Sequence, residues 1–133
     1  MPFSNIADVR GQWAKIKGKE AEVGAQFFFR SFKVAGVQDA FTPFKGKAVK
    51  ESDLTTHGKI VMDFMRDRLV EGDAADEAMK EYVASHKQKP GLSPTLVSSV
   101  KGVLVDVFVE HGLDRAVMDT FVGDFLNTMT GLW

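Results

Sequence analysis

Two of the chain's three histidines, His57 and His86, fall on apolar stripes of different helical segments. An imidazole in such a place can bind a metal, move a proton, or simply satisfy a hydrogen bond within the core. Either histidine alone is readily a core residue, so a chemical role requires that the rest of the chain build a pocket between them. Cysteine is absent, which excludes disulfides, thiolate zinc sites, iron–sulfur clusters and covalent haem attachment. Any metal must be held by nitrogen or oxygen.

The elements that position these histidines are read from the apolar periodicity. Ser4 is read as the N-cap of a first helix whose inward face carries Ile6, Val9, Trp13 and Ile16, with Gly18 ending or bending it. A second helix is predicted over 20–34, with Val23, Phe27, Phe28 and Phe32 inward; the run Phe27-Phe28-Phe29 would also suit a strand, but its flanks are good helix formers. Between Ala35 and Asp53 the period weakens into a short helical turn and a loop that carries Phe41 and Phe44. Rings placed so can plug the core edge or line a ligand. Ser52 is read as the cap of the next helix, where Leu54, His57, Val61, Phe64 and Met65 share a face. Gly58 beside His57 is costly in mid-helix unless another helix approaches closely there, and Gly24 is the natural partner for that crossing.

Further on, Met79, Tyr82, Val83 and His86 form a stripe that ends at the second histidine, and Lys89-Pro90-Gly91 stops that helix. Ser93-Pro94 opens the next, a widely apolar helix with Val97, Val100, Leu104 and Phe108, closed by Gly112. Asp114 caps a last helix carrying Val117, Phe121, Phe125 and Met129. Some six helices and no convincing strand predict an all-α fold, and no linker or repeat divides residues 1–133, so a single domain is expected.

Composition narrows the function classes. With 17 basic and 18 acidic residues and no dense cationic block, the chain lacks the electrostatic footprint of a nucleic-acid binder. Lys45, Lys47 and Lys50 read as a solvated loop. No apolar run is long enough to span a bilayer and no basic leader precedes an apolar one, so a cytoplasmic protein without a membrane partner is expected. Phe supplies 11 residues against a single Tyr, an interior of apolar rings that suits a large flat ligand.

Taken together, these residues resemble the globin family over essentially the whole chain. Trp13-Ala14-Lys15-Ile16 is similar to the tryptophan signature of a globin first helix, and Gly24 and Gly58 match the glycines of the close helix crossing. Phe41 matches the ring that wedges against the haem, and Phe44 the second aromatic of that corner. His57-Gly58-Lys59 with Val61 resembles the distal segment, and Ser85-His86 the proximal one. The 29 positions from His57 to His86 match common vertebrate globins without a gap. Only 16 positions separate Phe41 from His57, so the chain resembles invertebrate-type members without the small helix between the corner and the distal helix. It also lacks the usual proline within Val34-Ala35-Gly36-Val37, and Tyr82 stands where leucine is more usual.

The resemblance implies a globin fold of six to seven helices around non-covalent haem b, with His86 as proximal iron ligand. It implies further haem contacts from Phe41, Phe44, His57, Val61, Tyr82, Leu92, Val97, Val100 and Leu104. His57, Val61 and Phe28 (Phe27 if the register slips) would form the distal pocket for dioxygen, carbon monoxide or nitric oxide. Ser85 or a nearby carbonyl would accept from the His86 ring, and Lys45, Lys87 and Lys89 are candidates for the haem carboxylates. Reversible dioxygen binding for storage or transport, rather than enzymatic turnover, is the function implied. The alternatives are a peroxidase or nitric oxide dioxygenase, a sensor-type globin with His57 as sixth ligand, and a helical bundle with no cofactor. A homo-oligomer is compatible with the sequence, which does not specify one.

Overall fold

Apolar residues at helical spacing build the molecule, and what they bury determines where each helix lies. The computed structural model describes residues 3–73, 75–87, 89 and 91–133. Among the described residues there is no strand, and the helices are α1 (Ile6–Trp13), α2 (Glu20–Ser31), α3 (Thr55–Phe64), α4 (Ala75–His86), α5 (Pro94–Ser98), α6 (Lys101–Glu110) and α7 (Arg115–Leu132). α3 runs on without interruption into π-helical turns over Met65–Val70. Only 3-10 turns, Gln38–Ala40, Thr42–Phe44 and Glu51–Leu54, fill the corner between α2 and α3. The expected lack of a further α-helix there therefore holds.

α2 packs on α3 and α6, while α7 is touched by α1, α4, α5 and α6. The core centres on Phe108 and Phe121, both fully buried, with Trp13 at 5.7 Å from Phe108 and Phe3 at 5.7 Å from Phe121 between ring centroids. Leu104, Val105, Val107 and Phe108 are all buried, so α6 is central, as its wide apolar arc predicts.

Two predicted caps are present and two are not. Ser93 accepts from the Leu96 N–H at 3.2 Å and Asp114 from the Val117 N–H at 2.9 Å. Ser4 instead gives both its N–H and its hydroxyl to Asp124 on α7, each at 3.1 Å, and α1 begins after Asn5 without a side-chain cap. Ser52 lies inside a 3-10 turn whose start is closed by Asp53, which accepts from the Lys50 N–H at 2.9 Å. The first two helices also end earlier than predicted, at Trp13 and Ser31, the chain going on in turns. The single helix expected after Pro94 is two. Ser99 and Val100 bond back three residues, to Leu96 and Val97, and the Ser99 hydroxyl donates to the Leu96 carbonyl as well, a local competition that breaks α5 from α6. The stop read for Pro90 lies outside the described residues.

A buried carboxylate ties the first three helices. Glu20, 4% exposed, accepts from the Trp13 indole at 3.3 Å and the Gly18 N–H at 2.8 Å, and pairs with Arg66 at 3.2 Å. Burial works to raise its pKa, but hydrogen bonds to its own backbone, Trp13, Gly18 and Arg66 together hold it below the usual range.

The α2–α3 crossing is the tightest contact in the fold. A Cβ built on Gly24 would sit 2.2 Å from the Gly58 carbonyl oxygen, and one on Gly58 would sit 2.2 Å from the Gly24 carbonyl carbon. These obstacles are backbone, so the helices themselves must part. Gly58→Ala is expected to lose roughly 1–3 kcal/mol of unfolding free energy in urea titrations. Gly11→Ala, where an added Cβ meets nothing within 4 Å, should be neutral or gain up to about 1 kcal/mol.

Candidate functional site

α4 ends on His86, and the last turn of that helix fixes how its ring stands. The Nδ1–H donates to the Tyr82 carbonyl, one turn back, at 2.7 Å. The Ser85 hydroxyl donates to the same carbonyl at 2.8 Å and lies 3.2 Å from Nδ1 as a lesser acceptor. A carbonyl oxygen carries two lone pairs, and the Tyr82 oxygen accepts these side-chain donors although it lies within α4. The Tyr82 ring stacks on the imidazole at 3.9 Å and 22°, Phe64 stacks on the other side of Tyr82 at 4.5 Å, and Phe125 meets it edge-on at 5.6 Å. With Nδ1 committed as donor, Nε2 keeps its lone pair. An imidazole so oriented can ligate a metal.

That histidine stands on the wall of a small apolar cavity of about 70 Å³. Phe28 from α2, Phe41 from the corner, Val61 from α3, Tyr82 and His86 from α4, Leu92 from the α4–α5 connection, Val97 from α5, Val100, and Leu104 from α6 all line it. Nine of the predicted residues are thus brought together. His57 and Phe44 are not in the lining. His57 lies beside it, with its ring at 4.4 Å from Phe28 and 5.2 Å from Phe41, both near edge-on, and at 6.3 Å from Phe44. The inward face of α3 therefore brings Val61 to the cavity and leaves His57 against its aromatic rim.

Phe27, named only as the alternative to Phe28, also lines the cavity, as do Ser31, Val37, Met65, Leu96, Phe125, Leu126 and Met129, which were not among the predicted site residues. Phe27, Met65, Phe125 and Met129 lay on predicted inward stripes; periodicity marks a face without saying which neighbour the face meets. Ser31 carried no signal of its own. It is 1% exposed, and its hydroxyl has no partner among the described residues.

Both imidazoles are held neutral. Burial first, then the charges of Lys89 and His86, lowers His57 to about 4. Burial also lowers His86 and Lys89 adds to it, against the opposing hydrogen bond to Tyr82. The Tyr82 phenol is pushed up by burial and stays protonated. An apolar lining with a neutral, oriented imidazole suits in its chemistry a flat apolar metal complex such as haem: the rings and aliphatic side chains match the macrocycle, and Nε2 matches its metal. Among the described residues no group of three or more His, Asp or Glu side chains converges as a bare-metal cage.

A family model described as Globin matches residues 25–129 of the chain. The chain is similar to haemoglobin subunit alpha of Taricha granulosa, 30% identical over 87 residues that cover 65% of this chain and 61% of that protein. It is similar also to haemoglobin subunit alpha-1 of Pleurodeles waltl, 26% identical over 101 residues covering 73% and 71% respectively. The first match thus spans less than two-thirds of that relative's length. No solved structure gives a significant match. No helix among the described residues is long and apolar enough to cross a membrane.

The depressed His57 pKa sets a pH dependence. The unfolded chain takes up a proton near pH 6.5 while the folded one resists to about 4, so this stabilisation is complete above 6.5 and is lost as pH falls through that window. Urea unfolding of the haem-free protein from pH 7 to 4 should show a flatter decline for His57→Leu than for the unaltered chain. Parallel curves would contradict a neutral, desolvated His57.

Proposed function

The chain belongs to the globin family, and from that premise we propose that it binds dioxygen reversibly at a non-covalently held haem b, for oxygen storage or transport. The observation that carries the proposal is the presentation of His86: Nδ1 bonded to the Tyr82 carbonyl at 2.7 Å and the ring on the wall of an apolar cavity. When bound, the haem iron supplies the coordination position at which dioxygen is taken up and released.

The chain's own groups do the rest. His86 Nε2 would hold the haem iron, and the carbonyl hydrogen bond with the Phe64–Tyr82–His86 stack keeps its ring from turning. A neutral histidine lacks the electron push of a thiolate and so favours binding over oxygen–oxygen cleavage, which supports a carrier role over an enzymatic one. Phe28 and Val61 exclude water and limit the size of ligands on the opposite side, leaving room for dioxygen, carbon monoxide or nitric oxide. His57, against Phe28 and Phe41, brings an N–H donor to that side, and as a neutral imidazole it offers the same donor throughout the physiological range. Its position beside the lining favours hydrogen bonding to the gas over direct ligation. Residues 1–133 act as one domain in this reading.

The axial assignment separates the two histidines. His86→Ala should lose haem during gel filtration or transfer it to an acceptor apoprotein at least tenfold faster than the unaltered protein, on the order of the effect of removing a metal ligand's support. His57→Ala should retain haem but release oxygen and autoxidise faster. Equal haem retention in the two variants would remove the axial role of His86, and a six-coordinate spectrum in the reduced, gas-free protein would make His57 a second iron ligand.

A further inference from the structure

One polar atom on the cavity wall is both sealed from solvent and unbonded. Of the buried side-chain atoms that lack a partner among the described residues, Asn5 Oδ1, Ser31 Oγ and Asp63 Oδ1, only Ser31 lines the cavity. Asn5 and Asp63 are engaged through their other polar atom, with Val117 and Lys59, whereas the hydroxyl is all that Ser31 has. Other hydroxyls show what a helix ordinarily does with such a group: Thr55, Ser85, Ser99 and Thr130 each donate to the carbonyl three residues back. For Ser31 that carbonyl belongs to Phe28, which takes the Phe32 N–H at 2.9 Å and not the hydroxyl. Ser31 is 1% exposed, and a buried hydroxyl left unbonded forfeits a hydrogen bond it would have in water. Alanine would line the wall without that cost. The partner therefore comes from the cavity.

Its place narrows what that partner is. Phe27, Phe28 and Ser31 line the cavity from α2. Phe28 meets His57 at 4.4 Å, while the turn after Ser31 leads to α5, where a Cβ on Gly36 would lie 3.6 Å from Leu96 Cδ1. Ser31 thus stands toward α5, about one turn removed from the His57 side. The lining given by the corner and α5, Val37, Leu96 and Val97, is aliphatic, so no charge there calls for an ion. A cavity of about 70 Å³ has room for water, for which roughly 15 Å³ is enough. The Tyr82 phenol, kept protonated by burial, is another hydroxyl on the same wall, a further partner for such a water or for a second one bonded to it.

We propose that Ser31 anchors a buried water that plugs the α5 end of the cavity and keeps apolar guests, gases included, out of it. Phe28 and Val61 exclude water where a gas would bind; Ser31 admits it where a gas would otherwise dwell. The water site is a property of the wall, and its effect on gas rests on the haem reading above.

The test uses the full chain, with and without haem and carbon monoxide, as the unaltered sequence, Ser31→Ala and Thr130→Ala. Water–protein cross-relaxation in NMR reads a long-lived water at the residue 31 amide, and xenon NMR titration reads an apolar guest, since dry apolar cavities take up xenon. The unaltered chain should show the water. Ser31→Ala should lose it and bind xenon about fivefold more tightly, the effect of one hydrogen bond that xenon no longer displaces. Thr130→Ala, which removes a hydroxyl already bonded to Asn127, should match the unaltered chain. After a light flash, Ser31→Ala with haem should gain a slow internal phase of carbon monoxide rebinding that xenon abolishes. No water signal in the unaltered chain, its persistence in Ser31→Ala, or equal xenon binding in all three would overturn the proposal; xenon binding without the slow phase would overturn its effect on gas. A chain that takes up no haem would contradict the haem reading, and the water and xenon readouts would still decide Ser31.

Discussion

The hydrogen bond from His86 Nδ1 to the Tyr82 carbonyl is a small contact on which the site depends. It commits one ring nitrogen as donor and so leaves the other as an acceptor aimed away from the helix. The acceptor is at hand because Tyr82 lies one turn back from His86 on the same face of α4. One helix thus carries both the imidazole and the group that orients it. Tyr82 contributes twice, its backbone as acceptor and its ring as a stacked wall against the imidazole. A leucine there would keep the carbonyl and lose the stack.

The opposite wall depends on how closely two backbones can approach. Gly24 and Gly58 let α2 and α3 meet without intervening side chains, and this proximity puts Phe28, one turn along α2 from Gly24, beside His57 and Val61 from α3. The Glu20–Trp13–Arg66 cluster reinforces the same region from its outer side, linking the end of α1, the start of α2 and the π-helical turns after α3. A π-turn shifts the register of the residues beyond it. Here it continues the helix that carries His57, with Met65 delivered to the cavity.

Much of this was legible from residue types and spacing. Stripes such as Met79, Tyr82, Val83 and His86 place side chains on one face because the helical period is fixed, and the Ser93 and Asp114 caps are strictly local devices that read directly. The features that escaped depended on distance. Ser4 makes its bonds to Asp124, 120 positions away, and no local rule predicts that choice. The break between α5 and α6 arises where the Ser99 hydroxyl and backbone N–H both turn to the Leu96 carbonyl, a competition within one turn too fine for periodicity to detect. Periodicity likewise gave His57 a face but not a depth, so that it lies against Phe28 and Phe41 and not in the lining. The same limit hid Ser31, whose buried hydroxyl has no pattern to announce it.

A neutral, backbone-oriented His86 holding a haem whose iron takes up a gas reversibly is the central claim. Its most direct test is a hemin titration, then reduction and repeated exchange of nitrogen, oxygen and carbon monoxide over one sample, read in the Soret and visible bands. A reversible carrier should saturate at one haem per chain and show a five-coordinate spectrum under nitrogen. Its oxygen spectrum should be shifted and return to the nitrogen form over successive cycles, and carbon monoxide should give a distinct form. A chain that leaves hemin unbound, or whose reduced haem is oxidised irreversibly on first contact with oxygen, would contradict the claim.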